Sequence, residues 1–104
     1  MLRKFAIIIP VACAFNDPAS LGLYGTSPLA WAGERIVAEV EGYTQSEVHG
    51  VWKGPQGLVA EAGYRLDFAG HCPDHFVRGL AQYLVQHTNE QCVYVEYDGG
   101  AEII

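Results

Sequence analysis

The stretch Gly50-Val51-Trp52-Lys53-Gly54-Pro55-Gln56-Gly57-Leu58-Val59-Ala60-Glu61-Ala62-Gly63-Tyr64-Arg65-Leu66-Asp67-Phe68 decides how the chain is read. Two strand-like runs flank the corner Gly54-Pro55-Gln56-Gly57. Pro at the first central position and Gly at the end suit a four-residue hairpin turn. Beyond the corner, Leu58, Ala60, Ala62, Tyr64, Leu66 and Phe68 share one face of a strand of period two. Val59, Glu61, Gly63, Arg65 and Asp67 share the other. A carboxylate and a guanidinium therefore sit on one face, near Trp52 across the hairpin, and any chemistry is to be sought there.

Working outward, residues 5–11 form an apolar run, Phe5-Ala6-Ile7-Ile8-Ile9-Pro10-Val11, which reads as a strand buried on both faces. Pro10 lacks an N–H and belongs at its end or at a bulge. The same run behind Met1-Leu2-Arg3-Lys4 also resembles a short secretory signal, with Ala12-Cys13-Ala14 as a small-x-small cleavage site. The strand reading is preferred, because removing the run would take the middle out of the sheet. The run is too short to span a bilayer. Residues 16–25 read as loop. Ser27-Pro28 opens a helix, with Ser27 as its cap, and Leu29, Ala32, Ile36, Val37 and Val40 form its apolar stripe. Gly42 is the expected stop.

Residues 43–53 read as an edge strand. Gly70 ends the strand that follows the hairpin. Residues 73–87 read as a second helix, with Phe76, Val77, Leu80, Ala81, Leu84 and Val85 on one face and Pro73 and Asp74 in its first turn. Residues 92–97 alternate as a fourth strand. Asp98-Gly99-Gly100 is a turn signal, after which residues 101–104 could return as a short strand. The order is β-α-β-β-α-β. It predicts a ferredoxin-like α+β domain over residues 1–104, with a four-stranded antiparallel sheet and two helices on one face. The other face, expected to carry Val59, Glu61, Gly63, Arg65, Cys92, Tyr94 and Glu96, is left open. An open face of this kind is often covered by a second copy of the chain, so a homo-oligomer is expected.

Bulk properties narrow the function. The chain has 104 residues, room for one domain. Its net charge of −6 argues against a binder of nucleic-acid phosphates. The acids are scattered rather than run together, which counts against a nucleic-acid mimic. Cys13, Cys72 and Cys92 have no CxxC spacing and read as reduced thiols of a cytoplasmic protein. His71, Cys72 and His75 lie close in sequence, but the second half of a structural zinc site is missing, so no metal is expected. There is no P-loop, GxGxxG, HExxH or GxSxG pattern.

Glu61 is the sharpest candidate. It is either an exposed carboxylate paired with Arg65, four residues on and on the same face, or the group that holds a cationic or hydroxyl-bearing ligand. Trp52 is either a packing residue or a stacking platform for a flat ring or sulfonium. Tyr43, Tyr64 and Tyr94 carry the same two readings.

Two resemblances bear on these candidates. Gly42-Tyr43-Thr44, Gly50-Val51-Trp52, Gly57-Leu58-Val59-Ala60-Glu61 and Asn89-Glu90-Gln91-Cys92-Val93-Tyr94-Val95-Glu96 resemble segments of small bacterial and phage proteins that carry no assigned activity. The chain also resembles phage S-adenosylmethionine lyases at Gly50, Trp52 and Lys53, at Glu61, and at Gln91-Cys92-Val93-Tyr94-Val95. It departs from them in having Trp52 in place of a Tyr and in its shorter hairpin. This second resemblance implies a trimer with sites between subunits. It implies cleavage of S-adenosylmethionine to methylthioadenosine and homoserine lactone without metal, water or cofactor. It also implies Glu61 and Tyr64 as catalytic residues, with Trp52, Arg65 and Tyr94 as ligand contacts. The alternative is a non-catalytic homo-oligomeric module that binds a small ligand or a protein. Neither reading involves nucleic acid or a membrane.

Overall fold

Phe5, Ala6, Ile7 and Ile9 are all buried, as the apolar run requires, and they lie in β1 (Arg3–Pro10), the central strand of the sheet. The computed structural model describes residues 2–15, 27–88 and 93–104. The loop expected over 16–25 and the strand start expected at Cys92 lie outside them. Pro10 closes β1 opposite Gly63. The chain then makes one helical turn, α1 (Val11–Ala14), which buries Cys13 and Ala14.

Helix α2 (Pro28–Val40) begins as its sequence predicts: the Ser27 hydroxyl accepts the Ala30 N–H at 3.1 Å. Its stop differs from the expected one. Glu41, not Gly42, takes the left-handed conformation, with φ 77°, and its N–H bonds the Val37 carbonyl. Strands β2 (Thr44–Gly54) and β3 (Gly57–Gly70) form the predicted hairpin. Gly54 and Gly57 are its last pair, and Gly57 has φ 119°, which a glycine adopts without a steric cost. Helix α3 (Asp74–His87) follows, with Pro73 as its cap residue and Asp74 paired to Arg3 of β1. Strands β4 (Tyr94–Tyr97) and β5 (Gly100–Ile103) close the chain as a second hairpin.

The sheet order is β2-β3-β1-β4-β5, and every neighbouring pair is antiparallel. The predicted class, α+β with an antiparallel sheet, is therefore observed. Among the described residues two counts differ from the predicted four strands and two helices: there are five strands, the fifth being the short return strand read near residues 101–104, and three helices. A single helical turn carries no apolar period to read, so α1 was not foreseen. The extra strand forms because Gly99, at φ 93°, turns the chain back beside β4.

Alternate residues of β1, β3 and β4 (Phe5, Ile7, Ile9, Leu66, Phe68 and Val95), with Val93 just before β4, face the helices. They join Leu29, Ala32 and Ile36 of α2 and Val77, Leu80, Ala81 and Leu84 of α3 in one core. Burying each large apolar side chain contributes about 1.5–3 kcal/mol. The helices thus cover one face of the sheet and leave the other uncovered. Among the described residues no helix is long and apolar enough to cross a membrane.

Candidate functional site

The uncovered face holds a hollow of about 490 Å³. Its floor is shallow in side chains for a simple reason. Gly63 lies opposite Pro10 and Val48, and Gly50 lies opposite Glu61. Two glycines and a proline ring thus sit where larger side chains would fill the space. Ile8, Val48 and Ile103 make its lining apolar, and Tyr94 and Glu61 complete it. Glu61 is half-buried, and its carboxylate makes no hydrogen bond or ion pair among the described residues.

Next to the hollow on the same face runs a polar network. Arg65 Nε donates to both oxygens of Asp67 at 3.0 Å. Its Nη1 and Nη2 donate to Glu96 Oε1 and Oε2 at 3.3 and 2.7 Å. The Tyr94 hydroxyl donates to Glu96 Oε1 at 2.7 Å. The Arg65 guanidinium, and after it the Tyr94 hydroxyl, hold the Glu96 carboxyl below the ordinary carboxylate range. The same hydrogen bond to Glu96 pushes the Tyr94 phenol up.

The sequence-predicted residues divide. Glu61 and Tyr94 meet at the hollow. Arg65 shares their face, but its partners are Asp67 and Glu96 rather than Glu61, so the ion pair considered between Glu61 and Arg65 is not formed. Its guanidinium is engaged by two carboxylates. Tyr64 lies on the helix side of β3, edge-on to the ring of Phe15 with centroids 5.7 Å apart. Glu61 and Tyr64 are therefore not brought together within one chain, because odd and even positions of a strand point to opposite faces. Trp52 occupies the β2 position paired with Val59. Asp67 and Glu96 were given no role from sequence. Alternation places both on the right face and sets Asp67 two residues from Arg65, but nothing local reveals that Arg65 reaches Glu96.

The His71, Cys72, His75 cluster does not make a site. Among the described residues no three His, Cys, Asp or Glu side chains are grouped to hold a metal ion. Cys72 is buried, and burial pushes its thiol up, which disfavours the thiolate a nucleophile needs.

Together these features define an α+β domain whose antiparallel sheet has one helix-covered face and one open face, the open one bearing an apolar hollow with a carboxylate at its side. No family model matches the chain. Comparison with curated proteins gives no match. In fold the chain is similar to a solved phage SAM lyase in complex with S-methyl-5′-thioadenosine, with TM-score 0.64 and 16% identity, covering 99% of this chain and 88% of that one. A phage SAM lyase in the apo state is similar with TM-score 0.60 and 13% identity, covering 98% and 87%. At these identities the likeness is one of fold.

Proposed function

We propose that this protein is an S-adenosylmethionine lyase-like enzyme that cleaves its substrate to methylthioadenosine and homoserine lactone at the hollow of the open face. The observation that carries the reading is the fold likeness, over 99% of this chain, to a phage SAM lyase holding S-methyl-5′-thioadenosine. The hollow supports it. Its volume of about 490 Å³ falls within the roughly 300–1,000 Å³ of small-molecule sites. Its apolar lining suits a flat ring, and the carboxylate of Glu61, unpaired among the described residues, suits a cation. An acidic protein also attracts a cationic ligand better than an anionic one.

The chemistry asks little of the protein. The substrate carboxylate attacks the carbon attached to sulfur, a C–O bond forms, and the C–S bond breaks. Its electron pair passes to sulfur and cancels the sulfonium charge. No proton, metal or water is consumed. What remains is orientation: holding the two groups in line can supply several kcal/mol of the barrier. In this reading Glu61 holds the substrate ammonium and Tyr94 walls the adenosine or sulfonium. Trp52 contributes a stacking surface, and Arg65 acts through Glu96. Tyr64, whose ring lies on the helix side of the sheet, is outside the hollow of its own chain.

The reading includes a homotrimer with sites between subunits and a cytoplasmic setting. It also includes the ferredoxin-like description of the fold for one domain, supported by the order β2-β3-β1-β4 with β5 added at the edge. The second reading, a non-catalytic binding module, draws on the hairpin tip, where Val51 and Leu58 are 68% and 79% exposed. Incubation of the purified protein with S-adenosylmethionine, followed by chromatography and mass spectrometry, separates the two. The lyase reading expects both products from the parent protein, and Glu61→Gln is expected to lose turnover at least 100-fold, on the order of a lost charge-assisted contact, with fold and mass unchanged. Unchanged substrate at high enzyme concentration would leave the binding module.

A further inference from the structure

We infer that Glu96 and Arg65 are positioning residues for Tyr94, forming a brace that fixes the wall of the hollow; the inference rests on the ligand-binding reading above. Arg65 belongs to β3 and Glu96 to β4, and β1 runs between them. Neighbouring strands are about 4.8 Å apart, so the pair spans two strand spacings. Its path crosses Ala6, whose register partners are Asp67 on one side and Glu96 on the other. Ala6 lies on the uncovered face of the sheet, yet it is only 1% exposed. The small side chain leaves room for the ion pair, and the ion pair covers it.

The brace is directional. Both oxygens of Glu96 are held by Arg65, whose Nε is in turn held by both oxygens of Asp67. Charge-assisted bonds of this kind fix geometry more firmly than neutral ones. Glu96 therefore presents Oε1 at a set point, and the Tyr94 hydroxyl donates to it. A tyrosine ring has two torsions. With its backbone fixed in β4 and its hydroxyl fixed by Glu96, the ring is held at both ends. Tyr94 lines the apolar hollow and also a neighbouring hollow of about 500 Å³ that Arg65, Asp67 and Glu96 help to line, so the ring stands between the two. Freeing its hydroxyl would let the ring move.

The test uses the intact protein with tyrosine labelled at Cζ, and methylthioadenosine as the calorimetric probe. Glu96→Ala is expected to shift the Tyr94 Cζ resonance toward that of a solvated phenol and to weaken methylthioadenosine about tenfold. Glu96→Gln keeps an oxygen that accepts the hydroxyl proton but turns an amide N–H₂ toward Arg65 in place of the second acceptor, so it is expected to fall between Glu96→Ala and the parent in both readouts. Tyr94→Phe removes only the hydroxyl and should match Glu96→Ala in affinity, with little added loss in the double variant. A Cζ resonance that does not move in Glu96→Ala overturns the brace whatever the ligand. A resonance that moves without a change in affinity overturns the positioning role. Should Glu96→Ala not fold, parental affinity in Tyr94→Phe overturns it as well. If the parent protein binds no methylthioadenosine, the lyase reading falls, and the positioning role falls with it even where the Cζ shift records the brace.

Discussion

At the scale of single residues, the alternation in β3 decides most of what can be said. It separates Glu61, Gly63, Arg65 and Asp67 from Tyr64, Leu66 and Phe68, and the strand register keeps that separation. This much was legible because a period of two is a local property of the chain. The same period puts Asp67 within reach of Arg65, two residues on, but the second partner of Arg65 was not legible. Glu96 is 31 residues away in sequence, and the contact depends on β1 lying between them with an alanine at the crossing point. Glycine roles divide the same way. Gly70 lies against α2, where an added Cβ would fall 2.9 Å from Val40 Cβ. Gly70→Ala is therefore expected to destabilise the fold by about 1–3 kcal/mol, read from the denaturant midpoint. A midpoint equal to the parent's would mean that α2 is not seated against β3 as described.

At the scale of elements, both long helices were readable from their apolar stripes and their opening residues. Ser27 caps α2 through its hydroxyl, so Ser27→Ala is expected to cost about 0.5–2 kcal/mol in chemical denaturation. A loss below 0.2 kcal/mol would show the cap to be idle. The sequence shows the short elements unequally: α1 leaves no signal, while β5 is the short return strand that Asp98-Gly99-Gly100 signals. Four residues of α1 cannot display a helical period, and the four of β5 needed Gly99 to turn and α3 to support them. That support is a small network in which the Tyr97 hydroxyl donates to Glu102 Oε2 at 2.6 Å and Arg78 Nε donates to Glu102 Oε1 at 2.9 Å. It ties β5 to α3 across the sheet edge, beside Ile103 of the hollow. The helix stop shows a different limit. Gly42 was the better candidate by propensity, but Glu41 takes the left-handed turn one residue earlier, where the chain must leave α2 to enter β2.

At the scale of the whole molecule, charge and shape act together. Glu96 is held below the ordinary carboxylate range by Arg65 first and Tyr94 second, and Glu102 by Tyr97 first and Arg78 second. A carboxyl depressed in the folded chain contributes stability that is complete above its unfolded value, near 4.3, and is lost as pH falls through the folded value. The Tyr94 phenol, pushed up by Glu96, acts in the opposite sense: its contribution is complete below about pH 10 and is lost as pH rises through the folded value. Stability is expected to be level between about pH 5 and 9 and to fall on both sides. In Glu96→Gln the acid limb should be shallower, and an acid limb identical to the parent's would contradict the ion pair. The helix-covered face supplies the core, and the open face carries the hollow; this division of faces follows from the sequence, while the hollow itself does not, because its volume comes from what Gly50, Gly63 and Pro10 lack. The central claim is that this hollow receives an S-adenosyl ligand, and amide chemical shifts of ¹⁵N-labelled protein titrated with methylthioadenosine test it most directly. Saturable shifts centred on Ile8, Gly50, Glu61, Gly63, Tyr94 and Ile103 are the expected result. Shifts confined to α2 and α3, or none at millimolar ligand, would contradict it.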